Sequence, residues 1–184
     1  ERTVRSDATS PSLLAGLARD EDGIPLTPTH ANKNGRRYRY YISQRLMQAR
    51  KRDASGWGLP AGELEATILA AMRTLLGDHR QLCGLIGVED RDAAAIKAVM
   101  DRAANLGQSL SAPLDQHVAE TLHAIIARLD VEPGQMTLNL SRDGLCRCLG
   151  IANLPRETDG RSSPELAPAT IILPLHVRRR GVES

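Results

Sequence analysis

Residue types that perform chemistry are present in this chain, but few are spaced to cooperate. The five histidines, His30, His79, His117, His123 and His176, are scattered. His117 and His123 stand six apart, which on a helix places them on different faces and not as a ligand pair. Glu63 and Glu65 stand two apart, so on a helix they do not face each other, and solvated positions account for both. Cys83, Cys146 and Cys148 are odd in number, with two separated by a single residue. That is a poor disulfide framework and fits a reducing cytoplasm. On a strand Cys146 and Cys148 share one face, which for residues of this size reads as core. A Gly-rich phosphate loop, a His-Glu-x-x-His run and a paired Cys-x-x-Cys are all lacking.

The chemistry that the spacing does support is electrostatic. From residue 24 to residue 52 the chain holds Lys33, Arg36, Arg37, Arg39, Arg45, Arg50, Lys51 and Arg52 and no acidic residue. The formal net charge is +2, yet residues 1–22 carry three basic against five acidic groups and residues 53–184 thirteen against seventeen. The positive charge is therefore concentrated in one segment. All three tyrosines, Tyr38, Tyr40 and Tyr41, interleave with it. A charge run is commonly only a solvated face. The lack of acids, the interleaved tyrosines and two arginines on one strand face weigh towards nucleic acid. Arginine forks grip phosphates bidentately and tyrosine hydroxyls add neutral contacts. A second cluster, Arg178-Arg179-Arg180, is too short to carry the same argument.

The elements that must position these residues follow from turn signals and periodicity. Ser12 to Leu17 is a short apolar run, Asp20-Glu21-Asp22-Gly23 a turn, and Ile24 to Thr29 a return strand limited by Pro25 and Pro28. Asn32-Lys33-Asn34-Gly35 predicts a second turn and Arg37 to Ser43 a third strand. Its alternation places Arg37, Arg39 and Tyr41 on a basic face and Tyr38, Tyr40 and Ile42 on a packable one. Residues 50–59 read as a linker. Pro60 then opens a helix with the apolar stripe Leu64, Ile68, Met72, Leu75 and Leu76, and Asp78 caps a shorter helix carrying Leu82, Leu85 and Ile86.

Ile96, Val99, Ala103, Leu106 and Leu110 follow the 3, 4, 3, 4 spacing of a heptad seam. A second helix carries Leu114, Val118, Leu122, Ile125 and Leu129. The short break between them predicts an antiparallel helical hairpin, either a protruding coiled coil or two ordinary amphipathic helices on a common core. After Pro133-Gly134, Met136 to Leu140 and Leu145 to Leu149 form a β hairpin around Ser141-Arg142-Asp143-Gly144. A loop at residues 153–168 leads to a last strand with Ile171, Leu173, Leu175 and Val177. The expected fold class is α+β, in three parts: residues 1–52 a β module with the basic strand, 53–131 helical, and 132–184 strands that pack back on the first part.

Composition sets the outer limits. An apolar fraction of 41% without Phe, and with one Trp, gives an aliphatic core and few aromatic anchors for a small-molecule pocket. No run of eighteen apolar residues and no basic-then-apolar amino terminus is present, so neither a membrane span nor a secretory signal is expected. A chain that begins at Glu1 reads as a processed product or an excised fragment.

Taken together, Ser12 to Leu17, the acidic turn to Gly23, Thr27-Pro28-Thr29-His30-Ala31-Asn32-Lys33 and Gly35-Arg36-Arg37-Tyr38-Arg39-Tyr40-Tyr41-Ile42-Ser43 resemble the carboxyl-terminal region of serine site-specific recombinases of the resolvase and invertase kind. Leu59-Pro60-Ala61, Glu63-Leu64-Glu65 and Leu175 to Gly181 continue the likeness, which runs through most of the chain; the block from Thr27 to Ser43 is its most specific part. The resemblance implies a zinc-ribbon-like hairpin with an inserted coiled coil, lacking the catalytic domain and its nucleophilic serine. It implies a non-catalytic, nucleoid-associated module whose partners are double-stranded DNA and other recombinase subunits. The expected DNA contacts are Lys33, Arg36, Arg37, Tyr38, Arg39, Tyr40, Arg45, Arg50, Lys51 and Arg52. Subunit contacts are expected from Ile96, Val99, Leu106, Leu110, Val118, Leu122 and Ile125. Where relatives carry Cys-x-x-Cys this chain has Arg19 to Gly23, and where a later cysteine would close the site it has Tyr41-Ile42-Ser43. No four-cysteine zinc site can be built, and no cofactor is expected.

Overall fold

A computed structural model of the chain describes residues 12–33, 35–48, 56–88, 92–111, 115–151 and 169–176. Arg50, Lys51, Arg52, Leu114, Val177, the loop at 153–168 and Arg178 to Arg180 lie outside the described residues. The fold is α+β, with six helices and two sheets among the described residues.

The first sheet grows from a hairpin. Strand β2 (Thr27–Lys33) pairs antiparallel with β3 (Arg36–Ile42), in a register that sets Lys33 opposite Arg36 and leaves a two-residue Asn-Gly connection. Gly35 sits at φ 72°, the left-handed backbone such a turn requires. A third strand, β4 (Gly58–Pro60), pairs only with Tyr40 to Ile42. The stretch expected to be a linker is therefore partly sheet. Trp57 is buried, its backbone N–H donating to Ser43 Oγ at 3.0 Å, and its indole N–H to Glu21 Oε2 at 2.5 Å. Between the strands lies the five-residue helix α1 (Gln44–Gln48).

Helix α2 (Ala61–Gly77) buries the expected stripe of Leu64, Ile68, Met72, Leu75 and Leu76. Helix α3 (His79–Ile86) is capped as expected, Asp78 accepting from the Gln81 N–H at 3.0 Å, with Leu82, Leu85 and Ile86 buried. Asp92 and Asp115 cap α4 (Ala93–Ser109) and α5 (Gln116–Ile125) in the same way, at 2.8 and 3.0 Å. Each such cap contributes about 1 kcal/mol.

The two helices of the heptad pattern pack differently from a paired hairpin. Helix α4 lies along α2, whereas α5 lies against α6 (Arg142–Cys148) and the strand that follows it. Val99, Leu110, Val118, Leu122 and Ile125 are buried in the chain's own core, and Ile96 and Leu106 pack against it half-buried. The seam thus faces inward, because α2 offers α4 a complementary aliphatic stripe.

Two expectations fail further on. The α5 periodicity runs through to Leu129, yet the helix stops at Ile125 and residues Ile126–Glu132 form β5. Ladder pairing on both edges decides this, with β1 (Ala18–Arg19) parallel on one side and β6 (Gln135–Leu140) antiparallel on the other. Pro133-Gly134, with Gly134 at φ 84°, is the turn joining β5 to β6. The segment expected to return from β6 is helix α6, because Ser141 accepts from the Gly144 N–H at 3.0 Å and starts a helix there. Cys146 and Cys148 accordingly sit on a helix, about 200° apart around its axis, one buried and one half-buried. The second partner of β6 is β7 (Thr170–Pro174), giving the order β1-β5-β6-β7. One contiguous core gathers residues from Leu13 to Leu175 and so joins all three parts of the chain.

Candidate nucleic-acid interface

The basic residues are displayed by what β4 leaves uncovered. It pairs with β3 only as far as Tyr40, so Ala31 to Lys33 and Arg36 to Tyr38 continue as a two-stranded ribbon with exposed residues on both strands. Residues directly opposite in an antiparallel pair share a face. Lys33, Arg36, Tyr38 and Tyr40 therefore lie on one face of the ribbon, and Arg37, Arg39 and Tyr41 on the other. Lys33, Arg36 and Arg37 are exposed and form no ion pair with any described residue. Tyr38 is 41% exposed, an unusual position for an aromatic ring.

The expected division into a basic and a packable face is reversed at the base of the ribbon. Tyr41 is fully buried on the arginine face, while the packable role assigned to Tyr38 is not fulfilled. The cause is Glu65. Its side chain is wholly removed from solvent, contrary to the solvated position expected of it. Arg39 donates to Glu65 through both terminal nitrogens, Nη2 to Oε2 at 2.8 Å and Nη1 to Oε1 at 3.2 Å. Tyr41 donates to Oε1 at 2.8 Å, and so does the Leu13 N–H at 3.2 Å. The Tyr41 hydroxyl accepts in turn from the Leu14 N–H at 2.9 Å. Burial, with the adjacent carboxylate adding to it, pushes the Tyr41 hydroxyl well above its ordinary range, so it remains a neutral donor.

A signal for Glu65 was present in the sequence. Positions 61, 65, 68, 72 and 76 continue one helical stripe, and Ala61, Ile68, Met72 and Leu76 fill the others. An acid on such a stripe requires a cation, and Arg39 shares a strand face with Tyr41, which packs there. Glu63, two positions away, is exposed as expected.

Of the other expected DNA contacts, Tyr40 is half-buried and Arg45 forms an exposed pair with Asp22 at 2.5 Å. Such a surface pair contributes little and exchanges readily for another anion. Beside the ribbon an open groove of about 290 Å³ is lined by Arg37, Tyr38, Arg39, Tyr40, Pro60, Gly62 and Glu63. It abuts the start of α2, where Glu63 in the first turn offsets the partial positive charge of the helix end. Arg39 is already paired with Glu65, so Arg37 is the groove's one arginine without an ion pair among the described residues. A second groove, about 430 Å³, lies between α2 and β7 and is lined by Ala70, Ala71, Leu75, Ile171 and Leu173 among others. Neither brings a nucleophile together with a base.

Comparison with protein-family models, curated proteins and solved structures gave no match. Among the described residues no group of three His, Cys, Asp or Glu is placed to hold a metal ion, and no helix is long and apolar enough to cross a membrane. The turn at Arg19 to Gly23 has its own internal bonding. Asp20 Oδ1 accepts from the N–H groups of Asp22 and Ile24 at 3.1 and 2.9 Å, and Arg19 donates to the Gly23 carbonyl at 3.0 Å. Ser43 Oγ is engaged by Trp57. These groups do not fit zinc, which favours thiolate and imidazole donors.

Proposed function

We propose that this chain is a DNA-binding accessory module of a serine site-specific recombinase, non-catalytic by itself. The observation that carries the reading is the two-stranded ribbon beyond β4, which presents Lys33, Arg36, Arg37 and Tyr38 to solvent with no acidic partner among the described residues. Cations on a narrow, protruding element can approach phosphates without desolvating a broad surface, and an exposed tyrosine among them adds a neutral contact. The groove at the start of α2 lies beside the same ribbon and shares Arg37 and Tyr38 with it. The resemblance of Thr27 to Ser43 to the recombinase carboxyl-terminal region supplies the biological context: double-stranded DNA as the partner, held for a catalytic domain elsewhere.

In this reading the β2–β3 hairpin and the Arg19–Gly23 turn form a zinc-ribbon-like module in which protein contacts do the work of the metal. The turn is fixed by Asp20 and by the Trp57 indole on Glu21. Subunit contact through the heptad seam has less support, since most of that seam is buried within the chain.

The deciding experiment is fluorescence anisotropy of the chain on a random 30-base-pair duplex across a salt series. Binding whose log K falls by about 0.9 for each phosphate engaged supports the reading. No binding even at low salt removes it.

A further inference from the structure

We propose that Arg39 is a positioning residue for the nucleic-acid surface and not one of its ligands: through Glu65 it fixes the angle at which the ribbon leaves the body of the protein. This rests on the DNA-binding reading and assigns Arg39 a role different from those of Arg36 and Arg37.

Among the described residues no third strand pairs with the ribbon beyond Tyr40, and an isolated pair of strands does not hold its own orientation in water. What directs it must act at its base. There Arg39 grips Glu65 with both arms of the guanidinium, the carboxylate having no exposure and Arg39 only 23%. The same carboxylate takes the Tyr41 hydroxyl, on β3, and the Leu13 N–H, on the segment entering the fold. Glu65 is carried on the first turns of α2, the longest rigid element near the ribbon. The fork therefore ties β3, α2 and the incoming chain at one point.

Arg39 cannot leave for a phosphate without stranding a buried carboxylate, whereas Lys33, Arg36 and Arg37 have no acidic partner among the described residues to leave behind. From Arg39 to Arg36 the strand advances about 10 Å, so a rotation of about 10° at the fork carries the tip cations by roughly 2 Å. A fork also fixes direction in a way that a single ammonium does not.

The test is NMR of the arginine Nε–Hε signals in the full chain, titrated with the 30-base-pair duplex, with Arg39→Lys used to identify the Arg39 signal. The expected result is that the Arg36 and Arg37 signals shift while that of Arg39 stays. Arg39→Lys, still unfolding cooperatively, should bind DNA several-fold more weakly at every salt concentration with an unchanged salt slope. Comparable shifts of Arg39 and Arg37 overturn the proposal and leave DNA binding intact. So does an Arg39→Lys chain that binds as tightly as the parent. If no arginine signal responds, the DNA-binding reading falls and this role with it.

Discussion

Arg39 and Glu65 form a two-point ion pair in which the acid is fully buried and the base about a quarter exposed. The asymmetry determines what each substitution leaves behind. Arg39→Ala strands an ionised carboxylate whose other donors are neutral, and breaking a buried pair in this way costs about 3–5 kcal/mol. The double variant Arg39→Ala with Glu65→Gln removes the two charges together while the amide oxygen can still accept from the Tyr41 hydroxyl and the Leu13 N–H, and it should cost less. Urea unfolding of the two variants measures the difference. A single Arg39→Ala loss no larger than that of the double variant would show that the carboxylate is satisfied without its arginine.

Tyr41 gives the same network a dependence on alkaline pH. Its hydroxyl titrates higher in the folded chain than the value near 10 of an unfolded tyrosine, because of burial first and the Glu65 carboxylate in addition. Between those values the folded state keeps a proton that the unfolded state has released. The stabilisation from this site is therefore complete below about pH 10 and declines above it, by at most about 1.4 kcal/mol per pH unit. Tyr41→Phe should remove that part of the slope while costing about 1–3 kcal/mol at neutral pH through the unpaired Leu14 N–H. Unfolding free energies of parent and variant at pH 8, 9.5 and 10.5 make the comparison. Curves that stay parallel would place the titration elsewhere.

The parts of this fold legible in the sequence are those where local signals and tertiary demands agree. Helix α2 has an apolar stripe and lies on the core with it; α3 has both its Asp78 cap and its stripe. The β2–β3 hairpin has Asn34-Gly35 where the register needs a two-residue turn. The failures occur where a local pattern has two solutions. Val118, Leu122, Ile125 and Leu129 keep helical spacing, but the last of them lies in β5, since Ile126 to Val131 serves a ladder as well as a helix. Ser141 to Gly144 reads as a turn or as a helix start, and the Ser141 cap together with the packing of α5 and α3 against α6 goes with the second. The charged residues were legible as a cluster but not by role. Glu65, 26 residues away in the chain, divides Arg39 from its neighbours.

Gly144 is a position where backbone meets backbone. A Cβ there would lie 1.7 Å from the Ala124 carbonyl oxygen, at the end of α5. The obstacle is main chain and cannot swing aside, so Gly144→Ala must separate α6 from α5. The cost should reach the upper end of the about 1–3 kcal/mol typical of overpacking, or exceed it. Gly62→Ala, where an added Cβ meets nothing within 4 Å, is the control and should be neutral or slightly stabilising. Thermal unfolding of the pair decides it. Equal stability of the two variants would mean that the α5–α6 contact is looser than described.

The exposed cations of the ribbon should separate from its tyrosine in their response to salt. Lys33→Ala, Arg36→Ala and Arg37→Ala each remove one charge from a solvated position without disturbing a buried partner. Each should leave unfolding unchanged within about 0.5 kcal/mol and lower the magnitude of the log K against log salt slope by up to about 0.9. Tyr38→Ala removes no charge. It should weaken binding at all salt concentrations while the slope is preserved, because a hydroxyl or ring contact releases no counterion. Anisotropy on the same duplex, run in parallel with urea unfolding, reads both quantities. Slopes that remain at the parent value in all three cation variants would show that the ribbon does not engage phosphates.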